Sequence, residues 1–246
     1  MSKSLKIISN AKTHVGNKRA VNQDAFLAQP EIGVWIVADG MGGHHNGEYA
    51  SGLVTQKIML PDNIVGFDQT VDFIKAFIRK KNTELFYYAK KVGNSVRCGT
   101  TVVALVMRGN KVAILWVGDS RIYRFDPEFN QLSQVTVDHT VFNSLKQKGL
   151  VDEFHPMAEQ YKEALARVVG GEEDVVVDEY RLVLKKSERF LLCSDGINKE
   201  LSDADLAAIL SRSEAPGVTC DMMIKEALAN VGRDNMTACV IDVIFI

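Results

Sequence analysis

The chain has 246 residues, of which 46% are hydrophobic, and this length and composition fit one compact domain or two small ones with a substantial core. Its 29 basic and 31 acidic residues give a net charge of −2, so neither a nucleic-acid-binding surface nor a basic membrane-binding segment is predicted. The N-terminus lacks the apolar stretch of a signal peptide, and the longest apolar runs are too short to span a bilayer, which predicts a soluble, cytoplasmic protein.

Apolar periodicity distinguishes the predicted strands from the predicted helices. Short runs rich in Val, Ile and Leu indicate buried strands, whereas apolar residues that recur every three or four positions indicate helices. In chain order we predict a strand at 33–39, helices at 47–60 and 69–92, strands at 100–107, 111–119, 121–125 and 131–135, a strand at 189–195, helices at 203–212 and 218–231, and a strand at 238–246. The intervening residues 140–168 are polar, charged and less periodic, and we interpret them as a mobile insertion.

The links between the predicted strands indicate antiparallel pairing. Arg108-Gly109-Asn110 is a short loop that favours a tight hairpin, and residues 126–130 join the next two strands in the same way. Antiparallel strands with segregated helices are typical of a layered α+β fold, with helices packed outside stacked sheets. Because no Pro-, Gly- or Ser-rich linker interrupts the chain, we predict a single domain over residues 1–246.

Aspartates stand at the ends of several apolar runs. Asp39 and Asp195 are each followed by glycine, Asp119 follows glycine, Asp234 comes just before the last strand, and Asp24 precedes a short apolar stretch. A single Asp-Gly pair is an ordinary turn signal, but carboxylates at the same end of a sheet would converge. Converging carboxylates raise one another's pKa unless a cation lies between them, and oxygen ligands suit Mg²⁺ or Mn²⁺ better than zinc.

A carboxylate cluster of this kind can hold two metal ions about 4 Å apart, as in many phosphoryl-transfer enzymes. A water shared by the two ions loses a proton near neutral pH, and the resulting hydroxide can attack phosphorus in line with the leaving oxygen. The aspartate pattern is therefore consistent with hydrolysis of a phosphate ester.

Seven short motifs match one protein family in order along the chain. They are Arg19–Asp24 (RAVNQD), Ala38–His44 (ADGMGGH), Cys98–Thr101 (CGTT), Val117–Arg121 (VGDSR), Asp138–Thr140 (DHT), Ser194–Gly196 (SDG) and Arg233–Thr237 (RDNMT). Through these motifs the chain resembles the PPM/PP2C family of metal-dependent protein phosphatases, in its bacterial form. Any one motif would be weak, whereas all seven in order are highly specific.

The resemblance implies a fold and an activity. The fold is an α+β, four-layer α-β-β-α sandwich with two antiparallel sheets flanked by helices. The activity is hydrolysis of phosphoserine and phosphothreonine on proteins, and the partners would be phosphorylated proteins, the products of a Ser/Thr kinase. The enzyme would be a monomer, and its 140–168 segment would be a flap beside the active site that influences substrate choice.

The resemblance also implies a centre with two Mg²⁺ or Mn²⁺ ions. Asp39 would bridge both ions, and Gly40 would contribute its backbone carbonyl to one of them. Asp195 and Asp234 would bind the other ion. Asp24 would act close to the centre, largely through metal-bound water.

Further positions complete the implied site or depart from the family pattern. Asp119 would bind a third, weaker ion, and the Arg19 guanidinium would hold the substrate phosphate, for which its forked geometry is suited. Gln23 stands where many eukaryotic members have a glutamate, and Met41 stands where they have a histidine proposed as general acid. His44 cannot simply inherit that acid role, and a metal-bound water is an equally good candidate.

Two other functions compete with a protein phosphatase. A different two-metal hydrolase, such as a nuclease, is disfavoured because backbone binding needs a basic surface. A phosphoprotein-binding module without chemistry is disfavoured because the acidic set is intact. Elsewhere, His139 is expected to stabilise a turn, and the cysteines, which lack metal-ligand spacing, are expected to be buried, reduced thiols.

Overall fold

The computed structural model describes residues 4–43, 46–93 and 98–246, and eleven strands in these residues form two antiparallel sheets. In spatial order the first sheet contains β1 (Leu5–His14), β11 (Met236–Phe245), β10 (Glu188–Cys193), β7 (Arg121–Asp126) and β8 (Gln131–Gln134). The second contains β2 (Asp24–Gln29), β3 (Val34–Met41), β5 (Val102–Arg108), β6 (Lys111–Val117) and β9 (Asp178–Val183), with the short β4 (Gly99–Thr100) paired to β3.

Helices cover the outer face of each sheet. The second sheet packs against α1 (Asn46–Val54) and α2 (Phe67–Val92), and the first packs against α5 (Asp195–Asn198), α6 (Asp203–Leu210) and α7 (Pro216–Asn230). A third apolar cluster, which includes Trp35 and Phe190, fills the space between the sheets. The predicted four-layer α-β-β-α sandwich is therefore confirmed.

The central strands are apolar on both faces because each face meets a different layer. In β3, Val34, Ile36 and Ala38 belong to the cluster under the helices, while Trp35 and Val37 belong to the cluster between the sheets. Side chains alternate sides along a strand, so a sheet buried on both faces needs a continuous apolar run. That requirement explains the apolar runs from which the strands were predicted.

The predicted helix at 47–60 was too long, because α1 ends at Val54. Pro61 disfavours helical geometry in the residue before it, and the buried Gln29 amide holds the chain that follows α1. Gln29 Oε1 accepts from the Ile58 N–H at 2.8 Å, and Gln29 Nε2 donates to the Ile58 carbonyl at 3.2 Å. The other three predicted helices are present within two residues of their predicted ends.

The 140–168 segment contains two short helices that the sequence did not predict, α3 (Val141–Gln147) and α4 (Ala158–Glu163). The Thr140 hydroxyl caps α3 by accepting from the Asn143 N–H at 3.2 Å. A β-bridge between Thr140 and Leu165 brings the two ends of the segment together. Among the described helices, none is both long enough and apolar enough to cross a membrane.

Candidate active site

The predicted aspartates lie where strand ends of both sheets meet. Asp24 opens β2 and pairs with Asp39 at the end of β3. Asp119 lies between β6 and β7, where the chain passes from the second sheet to the first, Asp195 follows β10, and Asp234 precedes β11. A cavity of about 300 Å³ opens at this edge, and its described lining includes Asp39, Asp119, Asp195 and Asp234 together with Arg19, Gly40, Glu163 and Lys199.

Asp39 is held by two threonines at the junction between β4 and β5. Its backbone N–H donates to Thr101 Oγ1 at 3.0 Å, and its carbonyl accepts from Thr100 Oγ1 at 2.9 Å. Burial, followed by the charges of Asp24 and Asp195, raises the pKa of Asp39 well above its ordinary value. The Asp39 carboxyl group therefore ionises readily only when a cation is nearby.

Asp24 lies behind the cavity wall and is buried. Its Oδ2 accepts from Ser194 Oγ at 2.6 Å and from Thr237 Oγ1 at 2.7 Å, while its Oδ1 is buried without a hydrogen-bond partner. Burial raises the pKa of Asp24 to about 7, although the two hydroxyl hydrogen bonds act in the opposite direction. One oxygen of this carboxyl group is thus fixed, and the other is available to a metal-bound water or an ion.

Asp195 also has one fixed and one unpartnered oxygen. Lys199 Nζ lies 2.8 Å from Asp195 Oδ2, whereas Asp195 Oδ1 is buried without a partner. Burial alone would lower the pKa of Lys199, but the charge and hydrogen bond of Asp195 raise it above its ordinary value. Lys199 was absent from the predicted site, and a lysine in sequence gives no signal that it will face a carboxylate cluster.

Asp119 lines the same cavity, and the charges of Asp195 and Lys199 act on its carboxyl group. Burial and the nearby charge of Asp195 raise the pKa of Asp119 to about 7, and the charge of Lys199 acts against them. The Ser120 hydroxyl next to it lies 2.6 Å from Thr101 Oγ1, so the β6–β7 connection contacts the same threonine that binds the Asp39 N–H.

Arg19 and Asp234 form a forked ion pair at the cavity rim. Arg19 Nε donates to Asp234 Oδ1 at 2.8 Å, and Arg19 Nη2 donates to Asp234 Oδ2 at 2.7 Å. The hydrogen bond with Asp234 is the main cause of the raised pKa of Arg19. Because the Arg19 side chain is 56% exposed and that of Asp234 34% exposed, opening this pair would cost only about 0–1 kcal/mol.

Asn235 and Gly40 fix the backbone around these groups. The Asn235 side chain accepts from the Gln23 N–H at 2.8 Å and donates to the carbonyl of Val21 at 3.0 Å, so it joins the Arg19–Asp24 loop to β11. A β-carbon on Gly40 would lie 2.0 Å from the Gly47 carbonyl oxygen, so this position needs glycine. The motifs contained both residues, but only Gly40 had a predicted role.

The donor set fits hard divalent cations. Its acidic groups offer oxygen only, and two buried carboxylate oxygens lack partners, as expected for ligands of Mg²⁺ or Mn²⁺. Among the described residues, no three His, Cys, Asp or Glu side chains have the mutual spacing of a formed metal site. Asp234 is paired with Arg19 and Asp195 with Lys199, so ion binding would require at least the Arg19–Asp234 pair to open.

Other predicted positions fall at the edge of the site or outside it. Met41 lines the cavity, and Gln23 Nε2 donates to the Gly42 carbonyl at 3.2 Å. His44 lies outside the described residues. His139 is absent from the described cavity lining and instead binds Gly118, at the start of the β6–β7 turn, as the turn-stabilising interpretation predicted.

Comparisons with known proteins give the same assignment over nearly the whole chain. The family model for protein phosphatase 2C matches residues 12–230. The serine/threonine phosphatase stp of Listeria innocua is 30% identical over 240 residues, which cover 94% of each chain.

Two solved structures share the fold. PppA, a key regulatory component of T6SS in Pseudomonas aeruginosa, superposes with a TM-score of 0.84 at 34% identity and 96% coverage of both chains. The catalytic domain of the serine threonine protein phosphatase PstP, in complex with 2 manganese ions, has a TM-score of 0.78 at 26% identity, with 98% of this chain and 100% of that one covered. These matches favour the phosphatase interpretation over a nuclease or a module without chemistry. The chain therefore belongs to the protein phosphatase 2C family and is a metal-dependent serine/threonine protein phosphatase.

Proposed function

We propose that the aspartate-lined cavity is the catalytic centre at which the chain hydrolyses phosphoserine and phosphothreonine on other proteins. The observation that carries this proposal is the convergence of carboxylates from both sheets, with the Asp24 and Asp195 Oδ1 atoms buried and unpartnered. Placing several negatively charged carboxylates together in a buried site costs free energy until a cation binds between them.

Two Mg²⁺ or Mn²⁺ ions would be held by Asp39, Asp195, Asp234 and the Gly40 carbonyl, with Asp24 behind them acting through water. When bound, such ions supply an activated water and offset the negative charge of the phosphate. Asp119 is the remaining cavity carboxylate on which a third ion would depend.

Arg19 would bind the substrate phosphate after leaving Asp234. Its guanidinium presents two parallel N–H donors that match phosphate oxygens as well as they match a carboxylate. Opening of the Arg19–Asp234 ion pair would thereby free Asp234 to bind an ion and let Arg19 turn toward the substrate. Met41, which cannot donate a proton, lines the cavity at the position where many eukaryotic members of the family have a histidine, and we propose that water protonates the leaving oxygen.

The substrates would be products of a Ser/Thr kinase, and we expect the enzyme to act as a monomer in the cytoplasm. The four cysteines are buried and free, which is the usual state of thiols in a reducing compartment. The protein-phosphatase names of the relatives support phosphorylated proteins as the substrate class.

The test is hydrolysis of a phosphothreonine peptide with Mn²⁺ present. We expect Asp39→Asn and Asp195→Asn to lose most of the activity, because an amide cannot replace a charged ligand, and to keep the circular dichroism spectrum of the folded protein. Asp221→Asn is a matched control, since Asp221 is 61% exposed and pairs with Lys12 on the surface. Wild-type rates in both site variants would refute the proposed centre.

A further inference from the structure

A lysine side chain enters the aspartate-lined cavity from the end of α5. The Lys199 backbone N–H donates to the Asp195 carbonyl at 2.8 Å, so the two residues stand one helical turn apart on the same face. The Lys199 Nζ lies 2.8 Å from Asp195 Oδ2. An ammonium group thus already binds one oxygen of a predicted metal ligand.

A second acidic group contacts the same ammonium, and a third lies in the same cavity. Glu163 Oε2, from α4 in the 140–168 segment, lies 2.8 Å from Lys199 Nζ, and Asp119 lines the same cavity. A third ion held by Asp119 would share Asp195, because Asp195 is the acidic group whose charge acts most strongly on Asp119. The charge of Lys199 therefore acts on both groups at that position.

The two carboxylate oxygens of Asp195 have different environments. Oδ2 binds Lys199, whereas Oδ1 is buried and has no partner. Asp195 can thus bind one ion of a two-metal centre through Oδ1 while Oδ2 keeps the lysine. The contact with Lys199 is compatible with two ions but not with another ion on the Asp119 side.

We propose that the Lys199 ammonium takes the place of a third metal ion between Asp119 and Asp195, so that this chain binds two divalent ions and not three. This inference rests on the metal centre proposed above. It assigns Lys199 a positioning role, in which it orients Asp195 and balances the charge of Asp119 without touching the substrate.

A tethered lysine has physical advantages over a weakly bound ion. Its ammonium is a compact charge with three donors, and its attachment to the chain gives it a high local concentration at the carboxylates. A divalent ion arriving from solution would have to shed water, which Mg²⁺ does reluctantly. It would also meet a like charge already in place.

The test counts Mn²⁺ ions bound to the full chain, using equilibrium dialysis and the electron paramagnetic resonance signal of the free ion. We expect two ions on the wild type, three on Lys199→Met, and two on Lys199→Arg, which keeps a cation at the position. Adding Asp119→Asn to Lys199→Met should restore two. Glu163→Gln is a matched control that removes the other acidic contact of Lys199 and should leave two ions bound.

A wild type that binds three ions would overturn the inference, and so would a neutral variant that still binds two. Circular dichroism verifies folding, and Lys199→Gln is counted in the same way if Lys199→Met does not fold. The failure of the proposed function is separable from the failure of this inference. A wild type that binds two ions but leaves phosphopeptides intact would contradict the function and leave the role of Lys199 standing.

Discussion

At the scale of single residues, neutral hydroxyl groups determine how the acidic groups point. Ser194 and Thr237 both donate to the same oxygen of Asp24. The backbone N–H of Thr237 in turn donates to Ser194 Oγ at 2.9 Å. This small network keeps Asp24 Oδ2 occupied and leaves Oδ1 without a partner, so neutral residues select the oxygen that is available to the proposed metal centre.

Thr237→Val tests this orienting role. Valine keeps the shape of threonine but loses the hydroxyl that donates to Asp24. Since losing a side chain that orients a metal site typically weakens affinity about 10–100-fold, we expect Mn²⁺ binding to weaken by about that factor in a calorimetric titration. The control is Thr13→Val, because the Thr13 hydroxyl lies 2.8 Å from Thr237 Oγ1 and contacts Asp24 only through it. Equal affinities in the two variants would contradict the role of Thr237.

The acidic residues of the site could be predicted from the sequence more readily than the neutral residues that hydrogen-bond to them. Asp39, Asp119, Asp195 and Asp234 were predicted because acidic residues that recur near glycine at strand ends indicate one shared site more strongly than several separate turns. The role of Thr101 was not predicted, because β-propensity accounts equally well for a threonine at the start of a strand. Its contact with Asp39 depends on the register between two strands, and that register cannot be read from residue types alone.

At the scale of elements, His139 joins the end of β6 to the 140–168 segment and to β9. Its Nδ1 accepts from the Gly118 N–H at 3.1 Å, so Nδ1 carries no proton and Nε2 does. Its Nε2 lies 3.1 Å from Asp178 Oδ2, and the Arg167 guanidinium lies 3.2 Å from the same nitrogen. The His139 carbonyl accepts from the Ala166 N–H at 2.8 Å, which fixes the return of the segment.

This arrangement predicts a dependence of stability on pH. Burial, followed by the charge of Arg167, lowers the pKa of His139 below 6.5, although Asp178 and Asp138 act in the opposite direction. As pH falls below 6.5, the unfolded chain takes up a proton at His139 before the folded chain does, so the free energy of unfolding decreases. We expect His139→Gln to remove this contribution.

The measurement is urea unfolding of both proteins at pH 7.5, 6.5 and 5.5 without metal. The difference in unfolding free energy between wild type and His139→Gln isolates the histidine from the cavity carboxylates, which are common to both. We expect the advantage of the wild type to shrink toward pH 5.5. An advantage that is constant, or that grows as pH falls, would be inconsistent with the buried neutral imidazole.

Elements differed in how far the sequence revealed them. The strands buried on both faces were predicted because their apolar runs are continuous. In contrast, β1, β2 and β9 were missed because at least one face is partly exposed, as in β1, where exposed and half-buried residues alternate over much of the strand. The end of α1 was misplaced because the contact of Gln29 with Ile58 spans 29 positions, and no local periodicity reports such a contact.

At the scale of the whole molecule, the site exists only where the two sheets meet. Asp24 and Asp39 come from the second sheet, Asp195 and Asp234 flank strands of the first, and Asp119 lies on the connection between them. The fold class and this convergence could be predicted from the motifs. The ion pairs of Arg19 with Asp234 and of Lys199 with Glu163 could not, because they join residues 215 and 36 positions apart and depend on the final packing.

Because the proposed ligands belong to different sheets, metal binding and folding should be linked. An ion that binds only the folded chain stabilises it by an amount that grows with the ratio of free ion to Kd, about 2.7 kcal/mol at a hundredfold excess over Kd. For a chain of this length, that corresponds to a rise in Tm of about 5–10 °C. We expect calorimetric scans to show such a rise between EDTA and saturating Mn²⁺.

The same scans distinguish a metal that joins the two sheets from a metal bound elsewhere on the surface. Asp39→Asn and Asp195→Asn each remove one ligand, but from opposite sheets, so both should lose most of the Mn²⁺-dependent rise in Tm, whereas Asp221→Asn should keep it. Crowded, buried carboxyl groups are unfavourable in the metal-free cavity whether they are charged or hold a proton, so replacing one of them by a neutral amide should leave each site variant at least as stable as wild type in EDTA. A wild-type Tm that is the same in EDTA and in Mn²⁺ would show that the carboxylates of the two sheets do not share an ion.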